Sequence, residues 1–88
     1  MAFDLDRAYR LSPAATLRPE PFGALAYHFG NRRLSFLTSR QLVTVVRLLD
    51  SHDSAAAALH AAGVPAGQRA RYAAALAALA ESEVIDAR

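Results

Sequence analysis

Two stretches of alternating hydrophobic and polar residues, separated by Gly30 and Asn31, predict a β-hairpin. The stretches are residues 23–29 and 32–37, and Gly30 in the first loop position favours a two-residue type II′ turn. The predicted register pairs Phe29 with Arg32, His28 with Arg33, Tyr27 with Leu34, Ala26 with Ser35 and Leu25 with Phe36. One face then collects large apolar side chains and is expected to be buried; it carries Leu25, Tyr27, Phe29, Leu34 and Phe36.

The residues before the hairpin follow a weaker pattern. Residues 14–18 predict a short first strand, and Pro19 and Pro21 confine the chain after it to a sheet edge or a bend. Residues 1–12 have no clear period. We therefore expect an N-terminal arm at residues 1–12, followed by a single domain at residues 13–88.

A first helix is predicted directly after the hairpin. Thr38 and Gln41 have the spacing of a capping box, in which the two side chains satisfy backbone amides at the helix start. An apolar stripe follows, at Leu42, Val45, Val46 and Leu49, and the helix is expected to end near Asp50.

Two more helices complete the predicted order. The second covers residues 55–62 and ends in Gly63, a left-handed cap, followed by Val64 and Pro65. The third covers residues 67–83, with a buried stripe at Tyr72, Leu76 and Leu79, after which Val84 and Ile85 fold back onto the core. This order predicts an α+β fold of the small winged helix-turn-helix type, a three-stranded antiparallel sheet followed by three helices.

Composition narrows the function classes. The 88 residues contain no cysteine, which excludes disulfides, thiolate nucleophiles and most structural zinc sites. The three histidines have no carboxylate at a metal-binding spacing, and no serine lies in a nucleophile elbow. We therefore predict that the protein is not an enzyme and has no catalytic residue, metal site or cofactor. Without a signal peptide or an apolar stretch of bilayer length, we expect a soluble, cytoplasmic protein with no membrane partner.

Binding to DNA as a winged-helix transcriptional regulator is one hypothesis for such a fold. The third helix would enter the major groove with Gln68, Arg69 and Arg71 in its first turns. Alanine and leucine follow, which offer nothing to base edges or phosphates. The formal net charge is only +2, and its positive excess lies in residues 1–50. This alternative is kept, although no nucleic acid partner is expected.

Peptide binding by strand addition is the other hypothesis. Of 21 alanines, 14 lie between residues 55 and 80, where they would form a smooth helical wall beside the strand at residues 33–37. If that strand is a sheet edge, an extended peptide can add to it. The residues alone leave a second interpretation equally open, in which Arg32 and Arg33 only protect the edge against aggregation. A free edge could also pair two copies of the chain into a homodimer.

A run from Arg18 to Leu37 resembles a known family. It contains Pro-Glu-Pro-Phe-Gly and Arg-Arg-Leu-Ser-Phe-Leu, and it is similar to the peptide chaperones of mycofactocin biosynthesis. These belong with the wider PqqD-like precursor-peptide recognition domains. The resemblance continues more loosely through residues 42–49, residues 61–64 and the helix that contains Tyr72.

The resemblance implies a non-catalytic peptide chaperone. Such a protein binds the leader of a ribosomally synthesised precursor peptide by strand addition and delivers it to a radical SAM maturase. The implied contacts are Arg33, Leu34, Ser35, Phe36 and Leu37 on the strand and Arg69, Tyr72, Ala73, Leu76 and Ala77 on the third helix. We expect Leu34 and Phe36 to point into the core, and the other three strand residues to lie on the opposite face. An acidic or amphipathic leader is expected, steered by arginines and bonded by edge amides such as that of Ser35.

Overall fold

Two small antiparallel sheets and three α-helices form the fold of residues 3–88, the part of the chain that this computed structural model describes. The strands are β1 (Tyr9–Leu11), β2 (Ala15–Glu20), β3 (Gly23–His28), β4 (Leu34–Leu37) and β5 (Ile85–Ala87). The α-helices are α1 (Arg40–Leu48), α2 (Ala55–Ala61) and α3 (Arg69–Glu81), with 3₁₀ turns at Leu49–Ser51 and Ala66–Gln68. The predicted α+β class is confirmed, with a three-stranded sheet that precedes three helices.

The three-stranded sheet has the order β2-β3-β4, and β3 pairs with β4 in the predicted register. Leu25 lies opposite Phe36, Ala26 opposite Ser35, and Tyr27 opposite Leu34. Strand β2 extends past its predicted end and includes Pro19, which lies opposite Ala24. Since β3 is the central strand, β2 and β4 are the two edges of this sheet.

The face of the sheet that meets the helices is the opposite of the predicted one. The buried face carries Ala15, Ala24, Ala26, His28 and Leu37. The face predicted to be core points outward: Phe29 and Leu34 are each 58 % exposed and Phe36 is 64 % exposed. The alternation was therefore right and the choice of side was wrong.

Small side chains on the inner face allow α1 to lie close to the sheet. Ala24 and Ala26 are fully buried, and the stripe predicted on α1 fills the space above them with Leu42, Val45, Val46 and Leu49, all buried. A sheet surface of alanines leaves room for a helix that carries branched side chains, since interiors pack at nearly constant density. Large residues on both surfaces would overfill this layer.

The hairpin turn also differs from the prediction. His28 donates its backbone N–H to Arg33 O (3.0 Å), and its own carbonyl accepts from Arg32 N (2.8 Å), so four residues form the loop. The positive φ lies at Arg32 (61°) and not at Gly30, which excludes the type II′ turn. His28 Nδ1 accepts hydrogen bonds from the amides of Gly30 (3.0 Å) and Asn31 (3.1 Å) and so organises the loop.

The helix ends confirm the predicted cap at Gly63 and correct the one at Thr38. Ser39, not Thr38, is the N-cap of α1, and its hydroxyl accepts from Leu42 N at 3.0 Å. Ser54 caps α2 in the same way, and Gly63 (φ 77°) follows it as the predicted left-handed residue, with Val64 buried behind it. Tyr72, Leu76 and Leu79 are the buried residues of α3, as predicted.

A second sheet joins the two ends of the chain. Strands β1 and β5 pair with Leu11 opposite Ile85, and both Val84 and Ile85 are buried, as predicted. Arg10 Nε donates to Asp86 Oδ1 at 2.8 Å across this pair, and that hydrogen bond raises the pKa of Arg10 above its usual value. The segment expected as an N-terminal arm thus contacts the domain, since Ala56 N donates to Leu5 O and Ala55 N donates to Arg7 O, each at 2.9 Å. Within the segment, the rings of Phe3 and Tyr9 stack at 4.8 Å. Met1 and Ala2 lie outside the described residues.

We predict that Gly23→Ala strongly destabilises the domain. Gly23 has a φ of 151°, and a Cβ at this position would lie 2.1 Å from Leu37 O. Strand β4 would have to move, and we expect the free energy of unfolding to fall by more than about 2 kcal/mol in urea titrations. Gly67→Ala is the matched control, because a Cβ at position 67 would have no neighbouring atom within 4 Å. It should change stability by less than about 0.5 kcal/mol, and equal losses in the two variants would contradict this explanation.

Candidate functional site

The free edge of β4 presents backbone groups that the sheet does not satisfy. In an antiparallel pair, successive residues direct their N–H and C=O groups to opposite sides. His28 N donates to Arg33 O, whereas Phe29 N donates to Ala14 O on the β2 side at 2.8 Å. The register then directs Ser35 and Leu37 toward β3. Leu34 and Phe36 therefore direct their backbone groups outward, away from the sheet.

The other edge of the same sheet is largely closed. By the same alternation Ala15, Leu17 and Pro19 of β2 face outward. Ala15 N already donates to Ser12 O at 3.0 Å, and Pro19 has no N–H to donate. Leu17 alone retains an outward amide on this edge, so β4 offers the better template for an added strand.

Helix α3 is tied to both ends of β4. At the hairpin end, Asn31 Nδ2 donates to Ser82 O (3.1 Å) and to Glu83 Oε2 (2.9 Å), just after α3 ends. At the other end, Tyr72 OH in the first turn of α3 donates to Gln41 Oε1 at 3.2 Å. The helix consequently runs antiparallel to β4, held near the loop before this strand and the helix after it, and is the candidate for a second wall beside the open edge.

A cleft of about 320 Å³ opens between the end of β4 and α3. It is lined by Thr38, Ser39, Leu42, Arg71, Tyr72 and Ala75. The Arg71 guanidinium lies over the Tyr72 ring, 5.7 Å from its centroid, and places a positive charge at the mouth. Leu42, Ala75 and the Tyr72 ring supply apolar surface in this mixed lining, and Arg71 supplies a cation, a combination that suits a ligand with both an apolar and an acidic group.

Gln41 has a different role from the predicted capping box. Its Nε2 donates to Ala62 O at 3.2 Å at the end of α2, and its Oε1 accepts from Tyr72 OH. One side chain of α1 thus joins all three helices beneath the cleft. The position of the Tyr72 ring at the cleft floor depends on this bridge.

The structure divides the ten residues predicted to contact a peptide. Leu37 and Leu76 are fully buried in the core. Leu34 and Phe36 were expected to point into the core but lie on the outer sheet face. The Ser35 amide faces β3 by alternation, so it does not belong to the free edge as expected. Tyr72 lines the cleft beside β4. Ala77 lines a separate cavity of about 660 Å³ near β1 and β5, while Arg33 is exposed and Arg69 and Ala73 are half-buried.

Several cleft residues were not predicted. Thr38, Ser39 and Leu42 come from the β4–α1 junction, and Arg71 and Ala75 come from α3. The predicted stripe on α3 followed the buried face of the helix, whereas the ligand-accessible face is rotated from it and passes through residues 71, 72 and 75. In the sequence, the signal for this second face was Arg71, a charged residue directly before the apolar stripe that begins at Tyr72.

Charges around α3 are compatible with an acidic ligand. The Nε atom of Arg69 is shielded from solvent and has no hydrogen-bond partner among residues 3–88.

Other kinds of site find no support in the described residues. Within residues 3–88, no three His, Asp or Glu side chains converge as metal ligands. The exposed positions of α3 include Ala70, Ala74 and Ala78, whose side chains have no donor or acceptor for base edges and so disfavour DNA recognition. No helix in the described part of the chain is long and apolar enough to cross a membrane.

These features define a small α+β domain with one open strand edge beside a helical wall, an architecture suited to binding an extended peptide. The family model of the peptide chaperone MftB family matches residues 8–86. The chain therefore belongs to that family. Its relatives carry the name of a peptide chaperone, which is a non-catalytic role.

Three relatives illustrate the similarity, each named Peptide chaperone MftB. The protein of Mycobacterium ulcerans (strain Agy99) is 50 % identical over 96 % of this chain and 77 % of its own length. That of Mycolicibacterium smegmatis (strain ATCC 700084 / mc(2)155) is 49 % identical, over 97 % and 83 %. That of Mycobacterium tuberculosis (strain ATCC 25618 / H37Rv) is 46 % identical, over 94 % and 76 %. No solved structure gives a significant match.

We predict that Gln41→Ala and Tyr72→Phe are energetically coupled. Each change removes one end of the 3.2 Å hydrogen bond that ties α1 to α3, so the second change costs less once the first is made. A double-mutant cycle by urea denaturation should give a coupling of about 1 kcal/mol. In the control cycle, Thr44→Ala replaces Gln41→Ala, because the Thr44 hydroxyl bonds Arg40 O. That cycle should be additive, and additivity in both cycles would refute the bridge.

Proposed function

We propose that the domain binds the leader of a ribosomally synthesised precursor peptide by strand addition along β4. In this proposal it then delivers the peptide to a radical SAM maturase, in the cytoplasm, during mycofactocin biosynthesis. The observation that carries the proposal is the outward pair of backbone groups at Leu34 and Phe36, next to the wall formed by α3. Membership of a peptide chaperone family supports a peptide as the partner.

The leader would add as a fourth strand between β4 and α3. Leu34 and Phe36 offer two donors and two acceptors, spaced to pair with alternate residues of an extended peptide. Because these bonds involve only the main chain, they supply affinity with little dependence on sequence. The burial of Leu37 and the alanines beneath it holds the edge rigid, so that the protein itself loses little freedom on binding.

Side chains of the leader would alternate between two environments. Those on the inner face point toward the cleft lined by Tyr72 and Ala75, which admits an apolar group. Those on the outer face lie beside the exposed side chains of Leu34 and Phe36. An acidic residue near the cleft would pair with Arg71, and Arg69 on the same helix and Arg33 at the hairpin end of β4 add further positive charge. This distribution explains why the edge would select an amphipathic, acidic segment.

The same edge would be open to a second copy of the chain when no peptide is present. Two β4 strands could pair with each other, since their outward groups are self-complementary in an antiparallel arrangement. We propose that such a homodimer, if formed, competes with the leader. The protein would then release one copy for each peptide that it binds.

Replacement of Leu34 by Pro tests strand addition. The change removes an outward amide, as Pro19 does at an equivalent position of β2, so the fold should be retained. We expect the affinity for the precursor peptide, measured by calorimetry, to fall about tenfold relative to Leu34→Ala.

The Leu34→Ala variant is the matched control, because it removes the same side chain and keeps the amide. Circular dichroism and thermal melting should show both variants folded. A folded Leu34→Pro protein that binds the precursor as tightly as Leu34→Ala would rule out the strand-addition mechanism.

A further inference from the structure

The outer face of the three-stranded sheet carries an exposed apolar patch that peptide binding at the edge does not cover. Its exposed members are Phe22, Phe29, Leu34 and Phe36, which are also the large hydrophobic side chains exposed among residues 3–88. Half-buried Leu25 and Tyr27 lie between them, opposite Phe36 and Leu34. We name these six residues the outer patch. Contiguous exposed apolar surface of this kind is typical of a protein interaction site.

The rings of the outer patch are already ordered against one another. Phe22 and Phe36 have ring centroids 6.0 Å apart, and Tyr27 contacts Phe29 edge-on at 5.3 Å. Aromatic side chains held in place in this way lose little rotamer freedom when a partner covers them. The patch is thus a preorganised surface rather than a set of loose side chains.

Charges at the rim argue against a second copy as the occupant. Exposed Arg18 lies on the outer face opposite Leu25, and exposed Arg32 lies in the hairpin loop next to this face. The carboxylate nearby belongs to Glu20, which is already bonded to Arg18 at 2.8 Å. A second copy would bring its own arginines to this rim, whereas a partner with an apolar centre and an acidic rim would complement them.

The outer patch is continuous with the proposed leader site. Leu34 and Phe36 belong to both, because their backbone groups face the added strand while their side chains lie on the outer face. Residues that pair across two strands place their side chains on the same face, about 5 Å apart. Leader residues opposite Leu34 and Phe36 would therefore extend the patch. A protein that touches this face would contact chaperone and leader at once.

We propose that the outer patch is the docking surface for the radical SAM maturase, and that the bound leader forms part of that surface. The inference rests on the proposed function. It assigns the delivery of the leader to one face of the sheet. The matching surface of the enzyme would be apolar at its centre and acidic at its rim. It also makes docking depend on loading, since the complete surface exists only when the leader is in place.

The test uses the full chain carrying Phe22→Ser and Phe29→Ser together, which leaves β4 unchanged. Purified maturase and precursor peptide are titrated separately and together, by calorimetry for the peptide and biolayer interferometry for the enzyme. We expect peptide affinity within twofold of the unmodified protein, and maturase affinity reduced at least tenfold. For the unmodified protein, saturating precursor should raise maturase affinity at least fivefold. Ala61→Ser with Ala66→Ser, at exposed positions of α2 and of the turn before α3, is the control and should change neither.

The possible outcomes separate this inference from the proposed function. Normal maturase binding by the double variant overturns the docking surface and leaves peptide binding intact. Failure of the unmodified protein to bind precursor overturns the proposed function itself. If the double variant does not fold, Arg18→Glu replaces it; this should weaken maturase binding, more strongly at low salt, and unchanged binding overturns the inference. If the double variant abolishes a dimer but keeps maturase binding, the outer patch is the contact with a second copy. That result also overturns the inference.

Discussion

Antiparallel pairing of β3 with β4 determines which backbone groups of the domain are satisfied and which remain open. Because N–H and C=O groups alternate in direction along a strand, one register commits Ser35 and Leu37 to β3 and leaves Leu34 and Phe36 outward. The same register fixes the side chains, with alanines inward and aromatics outward. A shift of one residue would exchange both sets, so that Ser35 and Leu37 would offer the outward backbone groups and Leu34 and Phe36 would turn their side chains inward.

The helices convert this edge into a site. Helix α1 packs on the alanine face, and α3 is held beside β4 by Asn31 at one end and by the Gln41–Tyr72 bridge at the other. Neither anchor is large, and each contributes only about 1 kcal/mol as a hydrogen bond. Their importance is geometric, because they fix α3 relative to the segments before and after β4. The domain thus offers main-chain bonds on one side and side-chain contacts on the other.

Local patterns in the sequence predicted the hairpin register, the α1 stripe, the α2 cap and the buried stripe of α3. They could not predict which sheet face is inward, since that depends on how closely α1 approaches the sheet. Alanine is only weakly apolar, so a face of alanines gives no clear signal of burial. The turn type depended on the His28 ring, whose Nδ1 accepts two amides. Strand β1 pairs with β5 from the other end of the chain, and no local period signals such a contact. The cleft was missed for a similar reason, since Arg71 and Ala75 lie off the apolar stripe.

Residue-resolved amide hydrogen exchange, measured by NMR with and without the precursor peptide, tests the central claim most directly. In the free protein, the amides of Ser35 and Leu37 should already be protected by β3, and those of Leu34 and Phe36 should exchange rapidly. Saturating peptide should slow exchange at Leu34 and Phe36 at least a hundredfold, while Leu17, on the opposite edge, stays unchanged. Rapid exchange at Leu34 and Phe36 in the saturated complex would contradict strand addition at β4.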